Sequence, residues 1–513
     1  MRVVCHSPVI GLLTVAALAL PASTAGVRAQ ASAAAELGTI NFPTSAGPAA
    51  QAPFLVGTKA LYNFEFDIAA DAFRDAQKAD PAFALGYWGE AMSYNHPLWA
   101  EQDLASARKV LERLAPTAAG RAAKAPAGKE RDLVEAADIL FGAGDKLARD
   151  IAYSAAMGRM HAKYPDDDEI AIMYALSLLG TGRAGEKTTR TAMQAAAIAQ
   201  GVFQGHPQHP GSAHFIIHAF DDPDHAILAL PAARAYSKIA PAAAHAVHMP
   251  SHIFVQLGMW DDVVASNVIA YKAAVDLADR KGLPRGREDF HTLSWLQYAY
   301  LQQGKFADAQ RCVEMAKEVA DKELQNPRIR DGYASMKARQ VVETAKWEKL
   351  GLPAGAVRDG GAPAYDGSAA YLLAAGLSAA KLNDTATANV ALEKLRAMRT
   401  QAESGSNAYR AKPFAIMEKE VGAALASAQS DAASAERLLK EATAIELSLD
   451  APSGPAEPIK PSFELYGELL LDLNRPQDAA AQFNQSLQRT PNRRASLRGL
   501  ERANGQRPTT AQP

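Results

Sequence analysis

Cysteine is almost missing from this 513-residue chain, which has only Cys5 and Cys312. Cys5 lies in a stretch that reads as an export signal, so a processed chain keeps Cys312 alone. An intramolecular disulfide is then excluded, as is a zinc site built on four cysteines or on two cysteines and two histidines. Cys312 has no histidine beside it in sequence and reads as a small buried residue, not a nucleophile. An excess of charge is also missing. The formal net charge is −2, and loss of Arg2 and Arg28 with the signal turns it into −4. That is too little to attract nucleic acid or anionic lipid, so neither nucleic-acid binding nor membrane insertion is expected. No stretch after the signal approaches the roughly 18 apolar residues of a membrane span. Alternating β-branched runs are scarce. The zinc-protease pattern H-E-x-x-H fails, because Phe215 follows His214 and Met249 follows His248. No Gly-rich phosphate loop and no nucleophile-elbow serine occur.

What is present begins with the N-terminus. Arg2 gives a positive start, Val9 to Leu20 is a short apolar stretch, and small residues follow. Val27-Arg28-Ala29 offers a cleavage site, with Ser23-Thr24-Ala25 as a rival. No lipid-attachment cysteine ends the apolar run, since Cys5 precedes it. A periplasmic or secreted protein is expected.

Ala-rich helical patterning dominates the rest. One template recurs: an apolar helix, a Gly or Asn turn, an aromatic, then a helix with small residues. It appears at Leu61-Tyr62-Asn63-Phe64, continuing through Phe73 and Ala76 to Pro81, and at Leu257-Gly258-Met259-Trp260. It returns at Gln303-Gly304-Lys305-Phe306 and at Leu473-Asn474-Arg475-Pro476, which continues to Phe483 and Pro491. Weaker versions occur at Leu382-Asn383-Asp384 and Gln429-Ser430-Asp431. These segments resemble tetratricopeptide repeats, and the chain as a whole resembles a bacterial protein of that family with an added His-rich segment. The resemblance implies an all-α, TPR-like α-solenoid, a right-handed superhelix of antiparallel helix pairs. It also implies a concave face that binds a protein, a peptide or a small ligand. The interval from Gly258 to Gly304 is 46 residues, longer than the roughly 34 of the standard repeat, so lengthened helices are expected.

Gly and Pro break every helical period from Gly351 to Ser368, with shorter breaks at Pro116–Lys129 and Pro452–Ser462. The expected organisation is a signal at 1–29, a linker at 30–52 and a first array at 53–350. A linker at 351–368, a second array at 369–503 and a tail at 504–513 complete it.

Eight of the twelve histidines fall between His206 and His252. Imidazole titrates near neutrality and is a common transition-metal ligand. His214/His218 and His248/His252 have the spacing that places two rings on one helical face. Pro210 starts one helix, Asp222-Pro223 caps the next, and Pro250 starts a third, leaving His248 just outside it. The first helices of successive repeats lie side by side, so His214 and His218 are expected to face His252, with His248 the fourth candidate ligand. Asp221, Asp222 and His225 are candidates for the surrounding shell. His206, His209 and His245, flanked by Pro or Ala, read as solvated, and His291 reads as a further concave-face residue. Tyr87 to Trp99 reads as a packed aromatic interface in which Glu90, Tyr94 and His96 share a region.

Two functions fit these residues. One is an exported repeat scaffold whose concave face carries a His-lined metal site. The other is a metal-dependent enzyme in which His214, His218 and His252 hold Zn, Cu or Fe, with His248 or Asp222 handling protons. Whether the chain catalyses a reaction stays open at this point.

Overall fold

The structure is a computed structural model that describes residues 36–182, 189–323, 325–352, 368–405 and 408–505. The proposed signal, most of the 351–368 linker and most of the 504–513 tail lie outside the described residues. Helices run from Pro48–Tyr62 to Arg494–Ala503. The single β element among the described residues pairs Asn95–His96 with Glu101–Gln102. No described helix is long and apolar enough to cross a membrane. The protein is an all-α, TPR-like solenoid.

Consecutive helices pack on one another: Pro48–Tyr62 on Phe66–Ala79, Trp260–Lys281 on Glu288–Gln302, Lys412–Ala428 on Ala432–Leu447, and Ser462–Asp472 on Pro476–Arg489. Side chains start many of them. Asp103, Asp145, Asp167, Asp384 and Asp431 each accept a hydrogen bond from the backbone N–H three residues on, which satisfies an orphan donor of the first turn.

The turns repeat one geometry. Two residues before the second helix, Gly258, Gly304, Asn383, Ser430 and Asn474 all have φ between 57° and 75°. The next residue donates its N–H to a carbonyl five positions back, as in Met259 to Phe254, Lys305 to Tyr300 and Arg475 to Leu470, each at 2.8 Å. This is the left-handed helix stop that favours Gly and then Asn. The weaker sequence matches at Asn383 and Ser430 thus fold like the strong ones.

Aromatic plugs explain the small residues. The ring of Phe73 fills the space over Gly57 and Gly89, where an added Cβ would lie 2.8 Å and 2.3 Å from it. Phe483 does the same for Gly467 and Gly499, again at 2.8 Å and 2.3 Å. Each plug therefore joins its own repeat to the next. Cys312 is buried, and burial pushes its thiol up to about 12, so it is inert packing.

Two expectations need correction. The 30–52 segment is not a plain linker from Glu36 onward. Leu37 and Phe42 are buried, Thr39 N–H bonds the Gln208 carbonyl at 2.9 Å, and the first helix already starts at Pro48. Small Ala and Pro residues hid a packed strap. The break at Pro116–Lys129 contains the short helix Ala118–Lys124, whereas the one at Pro452–Ser462 is non-helical as expected and is packed as a strap. Gly454 packs on Trp295, and the Pro452 carbonyl accepts from Gln256 at 2.8 Å. Just beyond it, Asn492 lies on Gly258 and Arg494 on Gly304. The last repeat therefore docks on turns of the middle of the chain.

Candidate metal centre

Six imidazoles from four helices in the middle of the array gather in one region. His214 and His218 lie one turn apart on the helix Pro210–Ala219, whose first turn is capped by the buried His209 through Nδ1 and the Ser212 N–H at 3.2 Å. His245 and His248 lie on the short helix Ala244–His248, His252 on Pro250–Gln256, and His291 on Glu288–Gln302. Pro250 separates the two short helices as the sequence suggested, and His248 ends the first of them.

The rings form two trios. In each of His214/His218/His245 and His248/His252/His291, donor atoms from all three residues lie within 4.8 Å of one another. Ring centroids of His214 are 4.7 Å from His218 and 5.0 Å from His245. Those of His248 are 5.1 Å from His252 and 4.6 Å from His291. The four ligands expected from sequence are therefore divided. His214 and His218 belong to one trio, His248 and His252 to the other, and His252 meets the first pair only through His218, at 6.2 Å between rings. His245 completes the first trio, although its Pro/Ala-rich surroundings had marked it as solvated.

Hydrogen bonds fix the ring faces. His214 Nδ1 donates to the Tyr62 carbonyl at 2.6 Å, and His252 Nδ1 donates to Asp221 Oδ2 at 2.7 Å. His248 Nδ1 lies 2.7 Å from Asn267 Oδ1, the amide being oriented by its own NH₂ bond to the Val263 carbonyl at 2.8 Å. Each of these partners accepts only, so Nδ1 carries a proton and Nε2 is the ring atom left for a metal. This is the orienting arrangement of metal-ligating histidines. His214 and His218 bring their Nε2 atoms to 3.0 Å. Two nitrogens bound tetrahedrally to one ion at about 2.0–2.1 Å stand about 3.3 Å apart. Burial, and then the charge of His245, pushes the His214 imidazolium well below its usual pKa, against the pull of the Tyr62 carbonyl. A neutral ring is the form that binds metal.

The supports are aromatic and strained. His214 lies between Tyr236, stacked at 5.1 Å, and Phe64 at 4.4 Å. Phe64 also faces His218 and His245 at 5.7 Å and 5.4 Å. It occupies the left-handed turn position that Gly, Asn or Ser holds elsewhere, with φ 57°. A bulky residue there costs on the order of 1–2 kcal/mol, a strain of the kind that gathers at functional sites. Trp295 packs tilted against His252, with ring centroids 4.3 Å apart.

Asp221 stands beside His252 as expected, and Gln256 holds its other oxygen at 3.2 Å. Asp222 and His225 do not join either trio. Asp222 Oδ1 caps its own turn through the His225 N–H at 2.9 Å and also bonds His225 Nδ1 at 2.8 Å. The Asp-Pro start that suggested a capped helix uses this carboxylate locally. His206 is exposed beside Asp168 as expected, whereas His209 is buried. His96 stacks on Phe66 at 4.0 Å, and Glu90 is buried among Arg74, Gln77 and Arg113, so this region packs as an interface up to Trp99, which is exposed.

A cavity of about 1790 Å³ opens over the second trio. His252, His291, Trp295, Trp99 and Arg339 line it, together with the 449–459 strap. The fold and site together define a helical-repeat protein with a partly buried cluster of six histidines.

No family model and no curated protein matches the sequence. Solved structures do match it. The APC/C hetero-tetramer Cut9–Hcn1 is similar at 14% identity, covering 93% of this chain and 81% of that one, with a TM-score of 0.37. Yeast Tom70 matches at 11% identity over 89% of this chain and 88% of that one, TM-score 0.32. The human IFIT1 dimer with m7Gppp-AAAA matches at 12% identity over 93% of each chain, TM-score 0.33. These likenesses concern overall architecture, and the fold assignment rests on the turns and plugs described above.

Proposed function

We propose that this chain is an exported helical-repeat protein that binds transition-metal ions through His214, His218, His245, His248, His252 and His291, and presents them to a small ligand in the adjoining cavity. The observation that carries this is the set of Nδ1 locks at Tyr62, Asn267 and Asp221, which leave three Nε2 atoms for a metal. All-imidazole donor sets suit Zn, Cu, Fe and Ni, whereas Mg, Ca and Mn prefer oxygen ligands. The N-terminal Arg2 and Val9–Leu20 run supports export.

A metal-dependent enzyme is the second reading, favoured by the cavity. Three protein ligands leave a fourth position for water or substrate, and the second trio faces a space large enough for a small molecule. Strap residues 449–459 help line that space, which suits a small ligand better than a folded partner. IFIT1 holds m7Gppp-AAAA, so the expectation that nucleic acid is not a partner rests on the low net charge alone.

Metal analysis of protein purified without a His tag tests the proposal. Late first-row metal should co-purify, and chelation should remove it. Asp221→Ala should weaken metal affinity by about 10–100-fold, the usual effect of deleting a partner that orients a ligating histidine. His214→Ala/His248→Ala should lower metal content well below that. Wild-type protein that neither retains nor takes up Zn or Cu would refute the metal reading.

A further inference from the structure

We propose that the two histidine trios hold a pair of metal ions as one dinuclear centre, with a bridging oxygen ligand between them. The inference rests on the metal-binding reading above and goes beyond it in number, placement and coupling.

Three observations lead there. Each trio is complete by itself, with three imidazole donors within 4.8 Å of one another and no carboxylate among them. The trios also share a mount, since His245 of the first and His248 of the second lie one turn apart on the same short helix, with ring centroids 6.5 Å apart. A second junction lies across neighbouring helices, where His218 and His252 are 6.2 Å apart. Six rings thus form one continuous cluster spanning four helices. Ions held about 2.0–2.1 Å from these nitrogens would share one bridging oxygen if they stand about 3.5–4 Å apart, as in two-metal centres.

Charge points to the bridge. Two divalent ions on six neutral rings would place four positive charges in a site where His214 and His248 are fully buried. Asp221 bonds a trio ring through His252, and the buried Glu65 carboxylate accepts from the His245 backbone N–H at 3.3 Å, so two carboxylates beside the cluster offset part of that charge. An isolated buried charge of that size is costly. A bridging hydroxide lowers it, and so does an anionic oxygen ligand entering from the cavity. Three imidazoles on each ion leave the coordination position that such a ligand needs. His291 is exposed at the cavity side while His214 is sealed behind Phe64 and Tyr236, so the pair has one open end. The aromatic rings of Phe64 and Trp295 back opposite ends of the cluster.

The test is a Cu(II) titration of the full chain, untagged and in a His206→Ala background that removes an exposed histidine outside the cluster, with bound copper counted and paramagnetic resonance recorded. Two copper ions per chain are expected, with detected spin far below two per chain because bridged Cu(II) ions couple. His218→Ala/His245→Ala and His252→Ala/His291→Ala should each bind one ion with its full spin. His218 and His291 are the less buried members, and circular dichroism and melting confirm that each variant is folded. If a pair still unfolds, the single variants His218→Ala and His291→Ala replace it, and each should restore full spin to the copper that remains. Two ions with both spins fully visible would overturn the pairing and leave separate sites. One ion per wild-type chain would overturn the second site while sparing the metal-binding reading. No bound copper would overturn both.

Discussion

Phe73→Ala is expected to lower the unfolding free energy by about 3–5 kcal/mol, the usual range for emptying a fully buried aromatic position. The ring is completely buried and fits against two glycines, Gly57 in its own repeat and Gly89 in the next. It also packs against Phe54 at 5.8 Å between ring centroids. Backbone surfaces at Gly57 and Gly89 cannot move in to fill the hole without shifting whole helices. The loss thus falls on the joint between neighbours, which is the interaction that holds a repeat array together. Denaturant unfolding followed by circular dichroism measures it. A loss under about 1 kcal/mol would mean that the helices close up over the gap, and that Phe73 is not the plug proposed here. Phe483→Ala should behave alike, since its two glycines stand at the same distances.

Arg493→Met should cost a similar amount, about 3–5 kcal/mol, because it breaks a buried ion pair and strands its partners. Arg493 is 1% exposed and sits between Glu464 at 2.7 Å and Glu343 of the helix Pro327–Thr344. It thereby ties the last repeat to a helix on the far side of the 351–368 segment. Glu464 is fully buried and also bonds Lys460 at 2.8 Å and the Ser496 hydroxyl at 2.7 Å. Burial would raise the Glu464 pKa, but Arg493 and Lys460 together hold it below the ordinary carboxylate range. A depressed carboxylate contributes stability above its unfolded pKa and loses it as pH falls through the folded value. The wild-type protein should therefore lose stability below about pH 4, and Arg493→Met should lose less over that interval while being weaker at pH 7. Melting curves across pH 3–7 check both. A variant as stable as wild type at neutral pH would show that the pair only offsets its own desolvation.

The repeat architecture was legible because it depends on local rules. Gly258, Gly304 and Asn474 announce left-handed turns that only a few residue types accept, and Phe73 and Phe483 announce plugs by their spacing to glycine. The cluster was legible as a cluster but not as two trios. Helical spacing pairs His214 with His218, yet it does not say which neighbour's ring closes the set. That choice depends on the short helix Ala244–His248 ahead of Pro250, which was not expected and carries His245 and His248 together. His245 had a usable signal, the 46-residue step to His291 that matches the step from Gly258 to Gly304. Phe64 carried another, an aromatic at a turn position where the other repeats use Gly, Asn or Ser. Local rules that fail at one repeat mark where function has been added. Asp222 and His225 misled because a turn cap and a ligand-orienting carboxylate look the same in sequence.

The most direct measurement is anomalous diffraction from crystals of metal-loaded, untagged protein. The account predicts two strong peaks, one about 2.0–2.1 Å from nitrogens of His214, His218 and His245, the other equally close to those of His248, His252 and His291. Peaks confined to exposed groups such as His206, with both trios dark at full metal loading, would contradict it.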